Sequence, residues 1–215
     1  MDEHTNARAA RKNAPPDVIL FDLGGVLVEW DAVEPLIALC RRPLGRDEAR
    51  RFWLESPWVR AFESGSCDAD AFAAGVVAEL SLGCSPAEFL AAFTSWDRGP
   101  SPGALELLDE LAPRFFLACL SNNNAIHWSR LRDEFGLGAR FRRCYISYET
   151  GKFKPDAAAF HHVRADLGVT AERILFLDDN PECVRAARGT GMEAQEAHGV
   201  AGTRAILVAR GLLPR

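Results

Sequence analysis

Four short apolar runs punctuate the chain, and none of them alternates with polar residues. Val18-Ile19-Leu20-Phe21 stops at Asp22, residues 115–120 stop at Ser121-Asn122-Asn123-Asn124, and Ile174-Leu175-Phe176-Leu177 stops at Asp178-Asp179-Asn180. A weaker run, Cys144-Tyr145-Ile146-Ser147, precedes Gly151-Lys152-Phe153-Lys154-Pro155. A short run without a period of two suits a parallel strand buried on both faces. Between the runs the apolar period is helical: Ala104, Leu105, Leu107, Leu108 and Leu111 share one face, Leu131 and Phe135 another that stops at Gly136, and Phe160, Val163 and Leu167 a third that stops at Gly168. Pro181 after Asn180 reads as the first helical position behind its cap. A last strand is expected near 192–197 and a last helix over 201–210. Strands that alternate with helices predict an α/β fold, a doubly wound, Rossmann-like parallel sheet.

Residues 31–98 break the alternation. No strand-like run occurs there, and Phe52, Trp53, Trp58, Phe62, Phe72, Val76, Val77, Leu80, Phe89, Leu90 and Phe93 recur at helical spacing. This stretch reads as a small all-helical cap domain inserted after the first strand. Gly99-Pro100-Ser101-Pro102-Gly103 reads as the linker back. The expected division is therefore a disordered tail over 1–16, a core from 17–30 and 99–215, and a cap over 31–98.

With 215 residues, 48% of them hydrophobic, the chain can build such a core without disulfides or a structural metal. The formal net charge of −5 argues against a nucleic-acid binder, and no apolar run long enough for a membrane span is present. The polar N-terminus has no signal-peptide pattern. The cysteines at 40, 67, 84, 119, 144 and 183 form no CxxC pair, and the expectation is reduced thiols in a cytoplasmic protein. Of the 25 basic residues only Lys12, Lys152 and Lys154 are lysines, so residues 31–98 have none. Oligomeric state is not legible.

Open parallel sheets bind ligands at the carboxyl ends of their strands. Three predicted strands end there in polar residues: Asp22, Ser121-Asn122 and Asp178-Asp179, with Lys154 in the loop after the fourth. Carboxylates brought together repel unless a cation lies between them, and an all-oxygen ligand set suits Mg²⁺. A lysine, a hydroxyl and helix N-termini suit phosphate oxygens. The pattern implies metal-assisted phosphoryl transfer through a carboxylate nucleophile. Taken singly, each residue also reads as a turn, a helix cap or a solvated surface group. His127, His161 and His162 have no carboxylate or cysteine partner close in sequence.

From about residue 17 onward, the segments Phe21-Asp22-Leu23-Gly24-Gly25-Val26-Leu27, Leu120-Ser121-Asn122, Lys154-Pro155-Asp156 and Phe176-Leu177-Asp178-Asp179-Asn180 resemble, in order and spacing, the four motifs of the haloacid dehalogenase-like hydrolase superfamily. The resemblance implies Asp22 as nucleophile forming an aspartyl-phosphate and Ser121 and Asn122 as holders of the phosphoryl group. It implies Lys154 as the cation that balances charge and positions Asp22. Asp22, the Gly24 carbonyl, Asp178 and Asp179 would be the Mg²⁺ ligands. Its partner would be a small phosphorylated metabolite. Most phosphatases of the superfamily carry a second Asp two residues after the nucleophile, as general acid and base, and here that position is Gly24. The Asp-Leu-Gly start, the Asp-Asp-Asn motif and Glu63-Ser64-Gly65 resemble the alpha-glucose-1-phosphate phosphatase branch, which also has Gly there, so a sugar 1-phosphate is the expected substrate class.

Two alternatives stand beside it. 2-Haloacid dehalogenases also lack the second Asp and need no metal, but their fourth motif usually lacks paired acids. A non-catalytic member would bind a phosphometabolite or a protein without turnover. Phosphonoacetaldehyde hydrolases are excluded, because they require a cap lysine. Trp58, Arg60, Phe62 and Glu63 are the cap residues expected near the leaving group.

Overall fold

The computed structural model describes residues 15–214. The tail expected over 1–16 lies outside them, except for Pro15 and Pro16. Five strands form one parallel sheet in the order β5-β4-β1-β6-β7, with β1 Val18–Phe21, β4 Phe116–Ser121, β5 Arg143–Ile146, β6 Ile174–Asp178 and β7 Glu193–Glu196. Alternate residues of the central strands point to opposite faces, and both faces are buried. Ile19, Phe21, Leu117, Cys119, Leu175 and Leu177 pack under helices α6 Ala104–Leu111 and α11 Gly199–Ala209. Val18, Leu20, Ala118, Leu120, Ile174 and Phe176 pack under α9 Ala157–Leu167 and α10 Pro181–Gly189. That two-sided burial is why the runs show no alternation.

The chain winds from β1 outward through β4 and β5, then returns to the other side of β1 for β6 and β7. The direction of winding reverses at β1. In such sheets this is where a crevice opens at the carboxyl ends of the strands.

Five helices follow the first strand: α1 Val33–Leu39, α2 Arg46–Glu55, α3 Pro57–Glu63, α4 Ala69–Leu80 and α5 Pro86–Phe93. They enclose a separate core of aromatic rings. Phe62 stacks on Phe72 at 4.4 Å, and Phe93 lies 5.1 Å from Phe72 and 5.9 Å from Trp53. Two caps close their N-terminal ends: Asp68 accepts from the Ala71 amide, and Ser85 with Glu88 forms a capping box.

The helical unit is joined to the sheet through an antiparallel ribbon of β2 Val28–Trp30 and β3 Asp97–Pro100, in which Trp30 pairs with Asp97. Here the structure corrects the sequence reading, which made Gly99-Pro100 linker and allowed no strand before 98. The ribbon is set by pairing with β2 and by the Asp97 carboxylate, which accepts from the Gly99 amide at 2.7 Å, not by hydrophobic period. The face expected around Leu131 and Phe135 belongs to α7 Ala125–Ser129, which widens into a single π turn over Arg130–Glu134. A short helix, α8 Ser147–Thr150, takes the last residue of the fourth apolar run. No helix among the described residues is long and apolar enough to cross a membrane, and the six cysteines are free.

Candidate active site

Pairing register brings the acidic groups together. Phe21 stands opposite Leu177 and the Asp22 amide donates to the Leu177 carbonyl, so Asp22 and Asp178 leave adjacent strands at the same level. Lys154 reaches between them, its Nζ 2.8 Å from Asp22 Oδ1 and 2.7 Å from Asp178 Oδ2. Asp179 lies beside Gly25, whose φ is +73° and where any Cβ would collide with the Asp179 carboxylate. Glycine is required there on both counts. One carboxylate oxygen from each of Asp22, Asp178 and Asp179 lies within 4.8 Å of the others.

Asn122 does something the sequence did not suggest. Its side-chain amide donates to the Lys154 carbonyl at 2.8 Å and accepts from the Lys154 amide at 2.8 Å. The side chain behaves like a piece of neighbouring strand and fixes the loop that carries the lysine. Ser121 is buried at the end of β4, and Gly24 bridges to Val28 two residues beyond Asp22. The Asn180 amide donates to Asp178 Oδ1 at 2.8 Å, while Asn180 caps α10.

The electrostatics follow from one ammonium among several carboxyl groups. Burial pushes the Asp22 carboxyl up to about 7; Lys154 opposes the shift, and Asp178 and Asp179 add to it. Burial and the Asp178 charge raise Asp179 as well. Lys154 is only 3% exposed, yet the two carboxylates more than offset the cost of burial and hold its ammonium charged, above its usual range. A single lysine cannot neutralise three acids. The oxygen donors and the surplus negative charge together suit a divalent cation such as Mg²⁺.

Of the four cap residues singled out by sequence, Glu63 alone belongs to this charge network. Trp58 lies over Gly75 and Phe62 is in the aromatic core. Arg60 pairs with Asp156 at 2.8 Å and sits 4.7 Å above the Phe153 ring. Glu63 is buried, and its carboxyl is pushed up to about 8 by that burial and by the Asp22 charge, against the pull of Lys154.

Two residues were missed. Ser147 is fully buried, accepts from the Asn123 amide at 2.9 Å and donates to the Glu63 carbonyl, which ties the cap to the site. His127 bonds Asn124 at 3.1 Å and the Phe93 carbonyl at 2.7 Å across the same seam, and burial lowers it to about 4. Neither carries a motif; the run of three asparagines was the only signal that this loop is built from side-chain hydrogen bonds.

Residues 16–191 match the family of haloacid dehalogenase-like hydrolases. The match spans the strand ends that carry the acids and the inserted helices. The chain belongs to that family and is a hydrolase. Among individual relatives, phosphoglycolate phosphatase 1 of Pseudomonas aeruginosa is 28% identical over 188 residues, 82% of this chain and 67% of that protein. A HAD-family enzyme of Bacteroides thetaiotaomicron, solved with magnesium and inorganic phosphate, superposes with a TM-score of 0.69 at 25% identity, over 85% of this chain and 94% of its own. The L-2-haloacid dehalogenase of Xanthobacter autotrophicus superposes with a TM-score of 0.62 at 26% identity, over 85% of this chain and 77% of its own.

Proposed function

We propose that this hydrolase is a magnesium-dependent phosphatase of small phosphorylated metabolites, working through an aspartyl-phosphate at Asp22, with sugar 1-phosphates as its favoured class. One observation carries the reading: the carboxylates of Asp22, Asp178 and Asp179 converge around a single buried lysine. A site that breaks a carbon–halogen bond without a metal has no use for that surplus of negative charge. The phosphatase and the magnesium–phosphate complex among the relatives support the same choice.

Asp22, Asp178, Asp179 and the Gly24 carbonyl would hold the magnesium, which when bound supplies the positive charge that draws phosphoryl oxygens into the crevice. Asp22, at the tip of β1, attacks phosphorus. Lys154 holds one Asp22 oxygen, orienting the carboxylate and balancing charge as it builds on the phosphoryl group. Ser121 offers a hydroxyl donor to a phosphoryl oxygen. Asn122 acts through its grip on the Lys154 backbone. The division of the chain belongs to the same reading: residues 17–30 and 99–215 hold the chemistry and 31–98 cover it.

Gly24 has no side chain with which to protonate a leaving oxygen. The substrates that suffer least are those whose leaving hydroxyl is more acidic, as in anomeric and aryl phosphates. The likeness of the Asp-Leu-Gly motif to the alpha-glucose-1-phosphate phosphatase branch supports that choice. The test is phosphate release from glucose 1-phosphate, glucose 6-phosphate and phosphoglycolate, with Mg²⁺ and with EDTA. Glucose 1-phosphate is expected to be the best of the three and to need the metal. Halide release from a 2-haloacid in EDTA would establish the dehalogenase reading instead. Binding without turnover of any ester would establish the non-catalytic one.

A further inference from the structure

The run Asn122-Asn123-Asn124 follows Ser121 directly, and each asparagine is tied to a different part of the molecule. Asn122 holds the Lys154 backbone. The backbone of Asn123 bonds Ser147, which in turn donates to the Glu63 carbonyl. Beside that contact Gly65, with φ +73°, passes so close to the Tyr148 carbonyl that a Cβ would overlap it, which fixes 63–65 against α8. Asn124 leads to the other edge of the cap. Its Oδ1 accepts from the Ile126 and His127 amides and starts α7, and its Nδ2 faces His127 Nδ1 at 3.1 Å. A carbonyl only accepts. His127 Nε2 therefore carries the ring proton and donates it to the Phe93 carbonyl at 2.7 Å, while Nδ1 accepts from the Asn124 amide.

One turn further along, Arg130 donates from a single nitrogen to the Thr94 carbonyl at 2.6 Å and to the Asp97 carbonyl at 2.8 Å. Phe135, just past the π turn, packs so closely on Gly99 that a Cβ there would come within 2.8 Å of its ring. Positions 93, 94, 97 and 99 are the end of α5 and the strand β3, by which the chain leaves the cap. Carbonyls at the end of a helix lack partners within it and carry its negative pole, so an imidazole N–H and a guanidinium suit them. The stretch from Ala125 to Phe135 is thus a wedge with two faces. Trp128 and Leu131 lie in the apolar core of the sheet, and Ile126 packs against the aromatic core of the cap. His127 and Arg130 hold the chain on its way back between them.

We infer that His127 and Arg130 are positioning residues, which seat the cap according to what fills the crevice beside Ser121. The inference rests on the phosphatase reading above for the identity of that occupant, a phosphoryl group. Only Asn122 and Asn123 separate Ser121 from the residue that starts α7, and both are held by hydrogen bonds. A shift of the strand end on filling has no slack in which to vanish. It moves α7, and α7 moves the return strand through the carbonyls at 93, 94 and 97. Ser147 carries the same shift to the chain at Glu63. The cap is then seated firmly when a phosphoryl group is bound and more loosely when the crevice is empty. Such coupling needs a contiguous set of contacts with two arrangements, and the bonds from Asn122 to Asp97 form the set.

The test is hydrogen–deuterium exchange of the full chain, read at residues 94–101, with and without inorganic phosphate and Mg²⁺. The proteins are the wild type, His127→Phe, His127→Gln and Arg130→Gln. In the free protein, His127→Phe should exchange roughly tenfold faster there, the worth of one buried hydrogen bond, with β1 and β6 unchanged. His127→Gln, whose amide N–H can reach the same carbonyl, should restore most of the difference. Phosphate with Mg²⁺ should slow exchange at 94–101 in the wild type. That response should vanish in His127→Phe and weaken in Arg130→Gln, although calorimetry should find phosphate bound to each. Arg130 is partly open to solvent, so its variant keeps the test decisive if Phe at 127 disturbs folding. An equal response in wild type and both variants would overturn the inference, as would bound phosphate that leaves 94–101 of the wild type unaffected. Phosphate that does not bind the wild type at all would take down the phosphatase reading, and the coupling with it.

Discussion

In the sheet, polar groups gather where strands stop; in the helical cap, aromatic rings gather where helices cross. The first arrangement places Asp22, Asp178 and Lys154 in nearly complete burial, held by backbone register and by the amide of Asn122. The second places Phe62, Phe72 and Phe93 in contact with one another and leaves Glu63 at its margin. Rings in contact gain from burial at any pH or salt concentration. Several carboxylates around one ammonium are unfavourable until further positive charge arrives. The packing of the cap is therefore favourable under all conditions, and that of the site only under some. Each half should fail in its own way.

The sharpest break is Asp22→Asn. An amide is not a useful nucleophile toward phosphorus, so activity on p-nitrophenyl phosphate should fall to background. The thermal midpoint should be unchanged or higher, because a buried charge has gone. Retention of more than a few per cent of the rate would falsify the assignment. Phe93→Ala should do the reverse. It opens a cavity among the rings of Trp30, Trp53, Phe62, Phe72, Phe89 and Trp96 and should cost about 3–5 kcal/mol in urea unfolding. Activity per folded molecule should survive far better than in Asp22→Asn.

Asp179→Asn should raise the Mg²⁺ concentration for half-maximal rate by roughly 10- to 100-fold, the range typical even for outer partners of a metal site. Asp178→Asn should do so too, with an added loss from freeing Lys154 on one side. Unchanged metal dependence in both would remove these acids from the cation site.

The smallest effect is on stability against pH in the metal-free protein. Folded Asp22 and Glu63 keep protons up to about 7 and about 8, whereas the unfolded chain sheds them near 3.8 and 4.5. The folded state binds more protons between those values, so stability falls as pH rises through that window. His127 works in the opposite sense. It stays neutral down to about 4, against 6.5 when unfolded, so its contribution is lost as pH falls between the two. Between 4.5 and 6.5 the two carboxyls outweigh the one imidazole, so the melting temperature in EDTA should fall as pH rises from about 5 to about 8, most steeply above 6.5, and Mg²⁺ should flatten that fall.

The three central strands were legible because burial on two faces leaves an unbroken apolar run, and each of those runs stops at a polar residue of the candidate site. The grouping of Asp22, Lys154 and Asp178 needed only register added. The β2–β3 ribbon was not legible. Three and four residues with a proline and a glycine carry no period, and only the partner strand defines them. Sequence named Glu63 among four cap residues but could not separate it from Trp58, Arg60 and Phe62. The distinction lies in which way α3 is turned when Ser147 takes the Glu63 carbonyl, a contact 84 residues away in sequence. The grip of the Asn122 side chain on the Lys154 backbone was not legible for a related reason: its partner lies on another loop, 32 residues away.

Trp30 and Asp97 stand side by side in the ribbon, so the chain leaves the sheet and comes back at neighbouring points. In polymer terms the cap is a loop whose mouth is already closed. The entropy of closing a loop grows with the logarithm of its length, about 0.6 kcal/mol for each doubling. Helices could be added to this insert or taken from it at little cost to the sheet beneath. The size of the lid is then nearly free to drift over generations. The segment from Glu63 to Gly65, fixed against α8, is not.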